Sequence, residues 1–294
     1  DVDAVREAIT AMGDSVLVVG DERTIKVHVH SLRPGRIIDY GCSLAALQDV
    51  VIENMQLQHE AYVAKVARPA PVSEPATGIG IVAVVQGQGL KRVFESLGTN
   101  AIVTGGQTMN PSTEELLSAV MSLPQEEVVI LPNNPNVVLT ARQAQGLASK
   151  RVAVVPTKTV PQGISALLAL NYQADLDTNC TAMEEACKAV QTIAVTTAVR
   201  SVKVNGMEVM QGEIIGLLDD ELTAAGRDSL EVTVDILQRI HAERMEIITV
   251  YYGADVSKPD ADAFAERIKQ RFPAQEVELI DGGQLHYSYI LSVE

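Results

Sequence analysis

Three polar segments concentrate the groups able to hold a ligand: GGQTMNPST over residues 105–113, LPNNPN over 131–136, and PTKTVPQG over 156–163. The paired glycines Gly105 and Gly106 admit positive φ and close backbone approach. Gln107, Thr108 and Asn110 follow them, with Asn133, Asn134 and Asn136 in the second segment and Thr157, Lys158, Thr159 and Gln162 in the third. Amides, hydroxyls and one ammonium suit an anionic group or a polar partner surface. The same residue types also turn chains and cap helices. Asn110 can cap, Pro111 fits a first helical position, and Ser112 with Glu115 has capping-box spacing.

His28 and His30 alternate, so on a strand both imidazoles face one side, about 7 Å apart and within reach of one metal ion. Ordinary half-exposed histidines fit that spacing too. The spacing fixes no third ligand, although Cys42 and His59 are near in sequence. His241 falls on a polar helix, and His286 follows a second Gly-Gly-Gln at residues 282–284. Neither has a paired carboxylate or nucleophile, so no catalytic residue is assigned. No GxxxxGK[ST] loop occurs, and Gly87 and Gly89 do not complete GxGxxG because Arg92 holds the last position.

The elements that must position these loops read as follows. A helix near residues 3–12 precedes strands near 15–19 and 24–30, which form a hairpin, and Pro34 opens a short helix. Pro69, Pro71 and Pro75 mark a linker. From Gly78, apolar runs at 79–85, 101–104, 128–131 and 152–155 alternate with helical segments at 90–97, 113–122, 137–148 and 162–170. That alternation builds a parallel sheet with every strand end on one edge, where open α/β sheets bind ligands. Residues 194–218 form a small antiparallel section around the Asn205-Gly206 turn. A second unit follows, with helices at 229–242 and 259–271 and strands at 246–252, 277–280 and 287–293. Strand, helix, strand and Gly-Gly-Gln recur at 79–107 and 247–284, which suggests duplication of one α/β lobe.

The expected organisation is α/β: a small α+β domain over residues 1–65, a linker over 66–77, and a larger domain over 78–294. That larger domain has mainly parallel sheets in two lobes, about 78–192 and 193–294. With 294 residues, 47% hydrophobic, no Trp and only three Phe, the cores are aliphatic. A net charge of −15 opposes binding to nucleic acid or an anionic membrane surface. No apolar run reaches the roughly 20 residues of a membrane span. Cys42, Cys180 and Cys187 form no disulfide framework, which fits a reducing cytoplasm. The start at Asp1 suggests a fragment.

The strings GGQTMNPST, LPNNPN, PTKTVPQGI and DGGQ…YSYILSVE resemble the C-terminal domain of the bacterial fatty acid kinase catalytic subunit family. That family is related to dihydroxyacetone kinases and is also described as DAK-phosphatase-like. KVHVHS, the PG that follows it, and IENMQLQHE resemble the family's middle domain. The resemblance implies a DegV-like and dihydroxyacetone-kinase-like fold for the larger domain. It implies ATP and Mg²⁺ held by clustered aspartates in a separate N-terminal domain, so this chain is the non-nucleotide half. It implies zinc on His28 and His30, with a cysteine upstream of residue 1; Cys42 matches no ligand position. It implies a DegV-like fatty-acid-binding partner that presents an acyl carboxylate for phosphorylation, whereas no histidine here matches a covalent dihydroxyacetone site. One alternative is a phospho-ligand site on Gly106, Thr108, Asn134 and Lys158. Another is a purely assembling role, with the lobes burying a homodimer surface.

Overall fold

The computed structural model describes residues 2–20, 25–31, 33–48, 50, 76–106, 110–204 and 207–294. The chain divides into two compact units, residues 1–72 and 73–294. Most of the expected linker, His59, Gln107, Thr108 and the Asn205-Gly206 turn lie outside the described residues.

In the first unit, α1 (Val2–Thr10) lays Val5 and Ile9 against Val18 of β1 (Asp14–Gly20). The Arg6 guanidinium donates to the Val18 carbonyl at 3.0 Å, tying helix to strand. β1 pairs antiparallel with β2 (Ile25–His30), setting Leu17 opposite His28 and Asp14 opposite His30. In α2 (Pro34–Leu44), Pro34 takes the first turn, where its missing N–H costs nothing. Ile37 and Tyr40 of that helix pack on the same small core.

The second unit opens with crossover units: β3 (Ala76–Val85), α3 (Gln88–Ser96), β4 (Ala101–Thr104), α4 (Thr113–Ser122), β5 (Gln125–Leu131), α5 (Pro135–Leu147), β6 (Arg151–Val154) and α6 (Val160–Leu168). The four strands are all parallel, in the order β4-β3-β5-β6. Both faces are covered, as buried parallel sheets require. Ile79, Ile81, Ala83 and Val85 of β3 join the cluster that holds Leu90 and Phe94 of α3 and Ile164 and Leu167 of α6. Val82 and Val84 pack on the other side with Leu116 and Val120 of α4 and Val137 and Ala141 of α5. The order in which strands are added reverses between β3 and β5, so the crevice at their carboxyl ends is a topological switch point.

α7 (Leu176–Ala189) leads into β7 (Gln191–Thr197), the first strand of the second sheet. A hairpin of β8 (Val202–Val204) and β9 (Met207–Val209) precedes β10 (Ile214–Leu218), β11 (Glu221–Gly226), α8 (Ser229–Arg239), β12 (Ile247–Tyr252), α9 (Lys258–Arg271), β13 (Glu276–Asp281) and β14 (Tyr289–Val293). This six-stranded sheet runs β11-β10-β7-β14-β12-β13. It is mixed rather than mainly parallel: only β12 and β13 pair parallel. The connection from β13 to β14 is too short for a crossover helix, so β14 must return antiparallel. α8 and α9 cover one face through Ile236, Leu237, Phe264 and Ile268. On the opposite face, Tyr251 and Ile290 join the cluster of α3, α6 and the first sheet, which makes the two sheets one body. No helix among the described residues is long and apolar enough to cross a membrane.

Candidate functional site

The strand-end loops split into two sets. Buried Asn133 sits left-handed at φ 54° and donates its N–H to Thr157 Oγ1 at 2.9 Å, while that hydroxyl donates to Asn133 Oδ1 at 2.8 Å. Asn133 Nδ2 donates to the Val84 carbonyl at 3.1 Å. Gly163 backs this network, since a Cβ there would lie 2.1 Å from Asn133 Oδ1. Asn133 and Thr157 thus clamp the ends of β3, β5 and β6 together, and their polar groups are largely spent on one another.

Capping occupies several more. Ser112 Oγ accepts from the Glu115 N–H at 3.1 Å, and Glu115 accepts from the Ser112 N–H at 2.8 Å, a complete capping box that holds the Glu115 carboxyl below its usual range. Ser112 rather than Asn110 is the cap, and Pro111 lies before it instead of in the first turn, because the reciprocal box satisfies two orphan donors. Asn134 Oδ1 accepts from the Asn136 N–H at 2.8 Å and caps α5. Thr159 caps α6 through the Gln162 N–H, while the Gln162 side chain accepts from the Lys158 N–H at 2.8 Å.

The second set lines a cavity of about 80 Å³ between the two sheets. Gly105, Gly106, Asn133, Asn134, Lys158 and Thr159 reach it; Asn110, Ser112, Asn136, Thr157 and Gln162 do not. The second lobe supplies residues outside the sequence-based set: Thr192, Asp220, Gln284, Leu285, Tyr287 and Ile290, together with Gln86 from the first. The repeated Gly-Gly-Gln is a signal for Gln284, since Gly105 and Gly106 of the other copy line the same cavity.

Two contacts join the lobes at this point. Thr159 and Thr192 share a hydroxyl–hydroxyl hydrogen bond of 2.7 Å. At the start of α3, Gly87 offers no side-chain cap, and the Gly282 carbonyl instead accepts the Leu90 N–H at 2.9 Å. Gly89 permits this approach, for a Cβ there would lie 1.7 Å from the Asp281 carbonyl oxygen. The glycines of QGQGL therefore serve lobe packing.

Asp219 and Asp220, at φ 47° and 73°, form the left-handed turn between β10 and β11. Partial burial raises the Asp219 carboxyl above its usual range, against the pull of the Thr192 N–H and of Lys158. Burial, aided by the charge of Asp220, pushes the Tyr287 phenol up to about 12, so it stays protonated. His286 is exposed and does not line the cavity; its carbonyl accepts from Thr196 Oγ1. His241 is exposed beside Glu243 at 3.2 Å. His28 and His30 lie on β2, but their side chains are outside the described set; among the described residues no three His, Cys, Asp or Glu side chains gather as a metal site.

The profile of the FakA-like fatty acid kinase C-terminal domain matches residues 80–294, and that of the FakA-like middle domain matches residues 1–62. Protein YloV of Bacillus subtilis (strain 168) is 36% identical over 294 residues, covering 98% of this chain and 53% of that protein. The chain spans about half the length of the curated relatives it matches. Among solved structures, the DegV family protein Cg2579 from Corynebacterium glutamicum superposes with a TM-score of 0.57 at 15% identity, covering 74% of this chain and 97% of that one. The Streptococcus pneumoniae Fatty Acid Kinase (Fak) B3 protein loaded with linoleic acid gives 0.51 at 12%, covering 74% and 99%. The dihydroxyacetone kinase of C. freundii gives 0.50 at 12%, covering 84% and 57%. At such identities the likeness is one of fold. The two profiles, taking up both units of the molecule, place the chain in the FakA-like family of fatty acid kinase proteins.

Proposed function

We propose that the chain is the non-nucleotide-binding portion of a fatty acid kinase catalytic subunit. In this reading, residues 73–294 dock a separate DegV-like fatty-acid-binding protein in the cytoplasm. The partner's acyl carboxylate oxygen then attacks the terminal phosphorus of ATP, giving acyl phosphate and ADP, in a domain outside this chain that also holds Mg²⁺. The observation that carries the reading is the match of residues 80–294 to the C-terminal profile.

The size of the cavity supports a separate acyl carrier. Drug-sized ligands take roughly 300–1,000 Å³, whereas about 80 Å³ is present between these sheets. A space of that size argues against an acyl chain held within it, although the fold is shared with fatty-acid-binding proteins. The rim offers a docking edge: Lys158 is exposed there, and Leu285 is 51% exposed at the cavity. An apolar anchor ringed by polar groups is the composition of a protein interface. In the first unit, His28 and His30 would hold zinc with a further donor from outside the chain, and the ion would supply local structure. Size-exclusion chromatography with a purified DegV-like fatty-acid-binding protein should show co-elution, weakened by Leu285→Asp. Stoichiometric fatty acid binding by this chain alone would overturn the reading.

A further inference from the structure

We propose that the cavity between the two sheets is a socket for one aliphatic side chain, of leucine, isoleucine or methionine, presented by the docked DegV-like partner. The inference rests on the docking reading and deepens it. Leu90, Val160, Ala194, Tyr287 and Ile290 line the cavity, and Leu285, 51% exposed, carries the apolar wall out to the rim. At roughly 10–15 Å³ per water-sized group, a volume of about 80 Å³ holds on the order of six heavy atoms. That is room for one aliphatic side chain.

Most polar groups of the wall are already committed to the protein. Asn133 is held by Thr157 and by the Val84 carbonyl, Asn134 Oδ1 caps α5, and the Thr159 and Thr192 hydroxyls bond each other. Gln284 Nε2 donates to the carbonyls of Tyr251 at 2.9 Å and Tyr287 at 3.3 Å. Its Oε1 packs against Gly282, where a Cβ would lie 2.0 Å away. An occupant therefore gains chiefly by withdrawing apolar surface from water. A central apolar pocket that closes over an inserted side chain is where interface anchors act. The charges at the rim say what carries that side chain. Lys158 and Asp220 both line the cavity and are both exposed. They match a partner with a carboxylate on one side of the anchor and a cation on the other, which sets the register of entry. A freely diffusing hydrocarbon makes no use of that pair. The net charge of −15 favours a partner of opposite charge over a second copy of this chain on this face.

The chain is labelled with ¹³C at its methyl groups and mixed with an unlabelled DegV-like protein loaded with perdeuterated fatty acid, so that acyl protons stay silent. Intermolecular NOEs are expected from the Leu90, Val160 and Ile290 methyls to aliphatic side-chain protons of the partner. Affinities are measured in parallel by calorimetry. Ala194→Leu fills the socket from β7 and should weaken the complex about tenfold or more, while its own spectrum keeps its dispersion. Lys158→Glu should slow association, most at low salt. A wild-type complex without those NOEs would overturn the socket and leave docking standing. So would undiminished affinity in Ala194→Leu alongside a loss in Leu285→Asp. No complex with any form of the chain would overturn both readings.

Discussion

Asn133 and Thr157 show how a polar residue at a sheet edge can serve the scaffold instead of a ligand. Each uses the other as donor and acceptor, and both are buried. Thr157→Val should orphan two buried groups and lower stability by about 2–4 kcal/mol in urea unfolding. Lys158→Ala, one residue away and exposed, should stay within about 0.5 kcal/mol. The cysteines make a second test at this scale. Burial pushes the Cys187 thiol up to about 11, and its Sγ donates to the Gln162 carbonyl at 3.4 Å, whereas Cys42 is exposed. Iodoacetamide at neutral pH should label Cys42 first and Cys187 last, because the thiolate reacts. In the unfolded chain the Cys187 thiol ionises near 9, so the unfolded state loses its proton first as pH rises. Stability should therefore fall as pH rises from about 9 through about 11, and Cys187→Ser should flatten that fall.

At the scale of elements, the strand-end edge was legible because four apolar runs, each followed by turn residues, can lie only one way in a right-handed parallel sheet. Of the two caps that the sequence offers α4, Asn110 and Ser112, only Ser112 makes the reciprocal bond with Glu115. β11 carries little signal of its own: Glu-Leu-Thr-Ala-Ala-Gly alternates weakly, and its Asp219-Asp220 turn lacks the glycine that usually marks a two-residue hairpin. The role of QGQGL was hidden because the surface it meets, the loop at residues 281–283, lies far along the chain. Gly89→Ala should drive a Cβ into the Asp281 backbone and cost at least about 2 kcal/mol. Gly146→Ala in α5, where nothing lies within 4 Å, should be neutral or stabilising by up to about 1 kcal/mol. Thermal unfolding of the two variants separates close packing from helix propensity.

On the scale of the whole molecule, the second lobe completes the site that the first begins. Much of the cavity wall comes from β7, the β10–β11 turn and the loop before β14, and sequence spacing alone could not bring these to the first sheet's edge. What the sequence did show was the repeated Gly-Gly-Gln, of which Gly105, Gly106 and Gln284 line the cavity. The resulting cavity is small, and the proposed docking surface is the exposed rim around it. The most direct measurement of the docking account is calorimetric titration of this chain with an acyl-loaded DegV-like protein. The account predicts a saturable isotherm of defined stoichiometry, weakened about tenfold or more by Leu285→Asp and little changed by Leu139→Asp on the exposed side of α5. Absence of any binding heat together with separate elution, or equal loss from both variants, would contradict it.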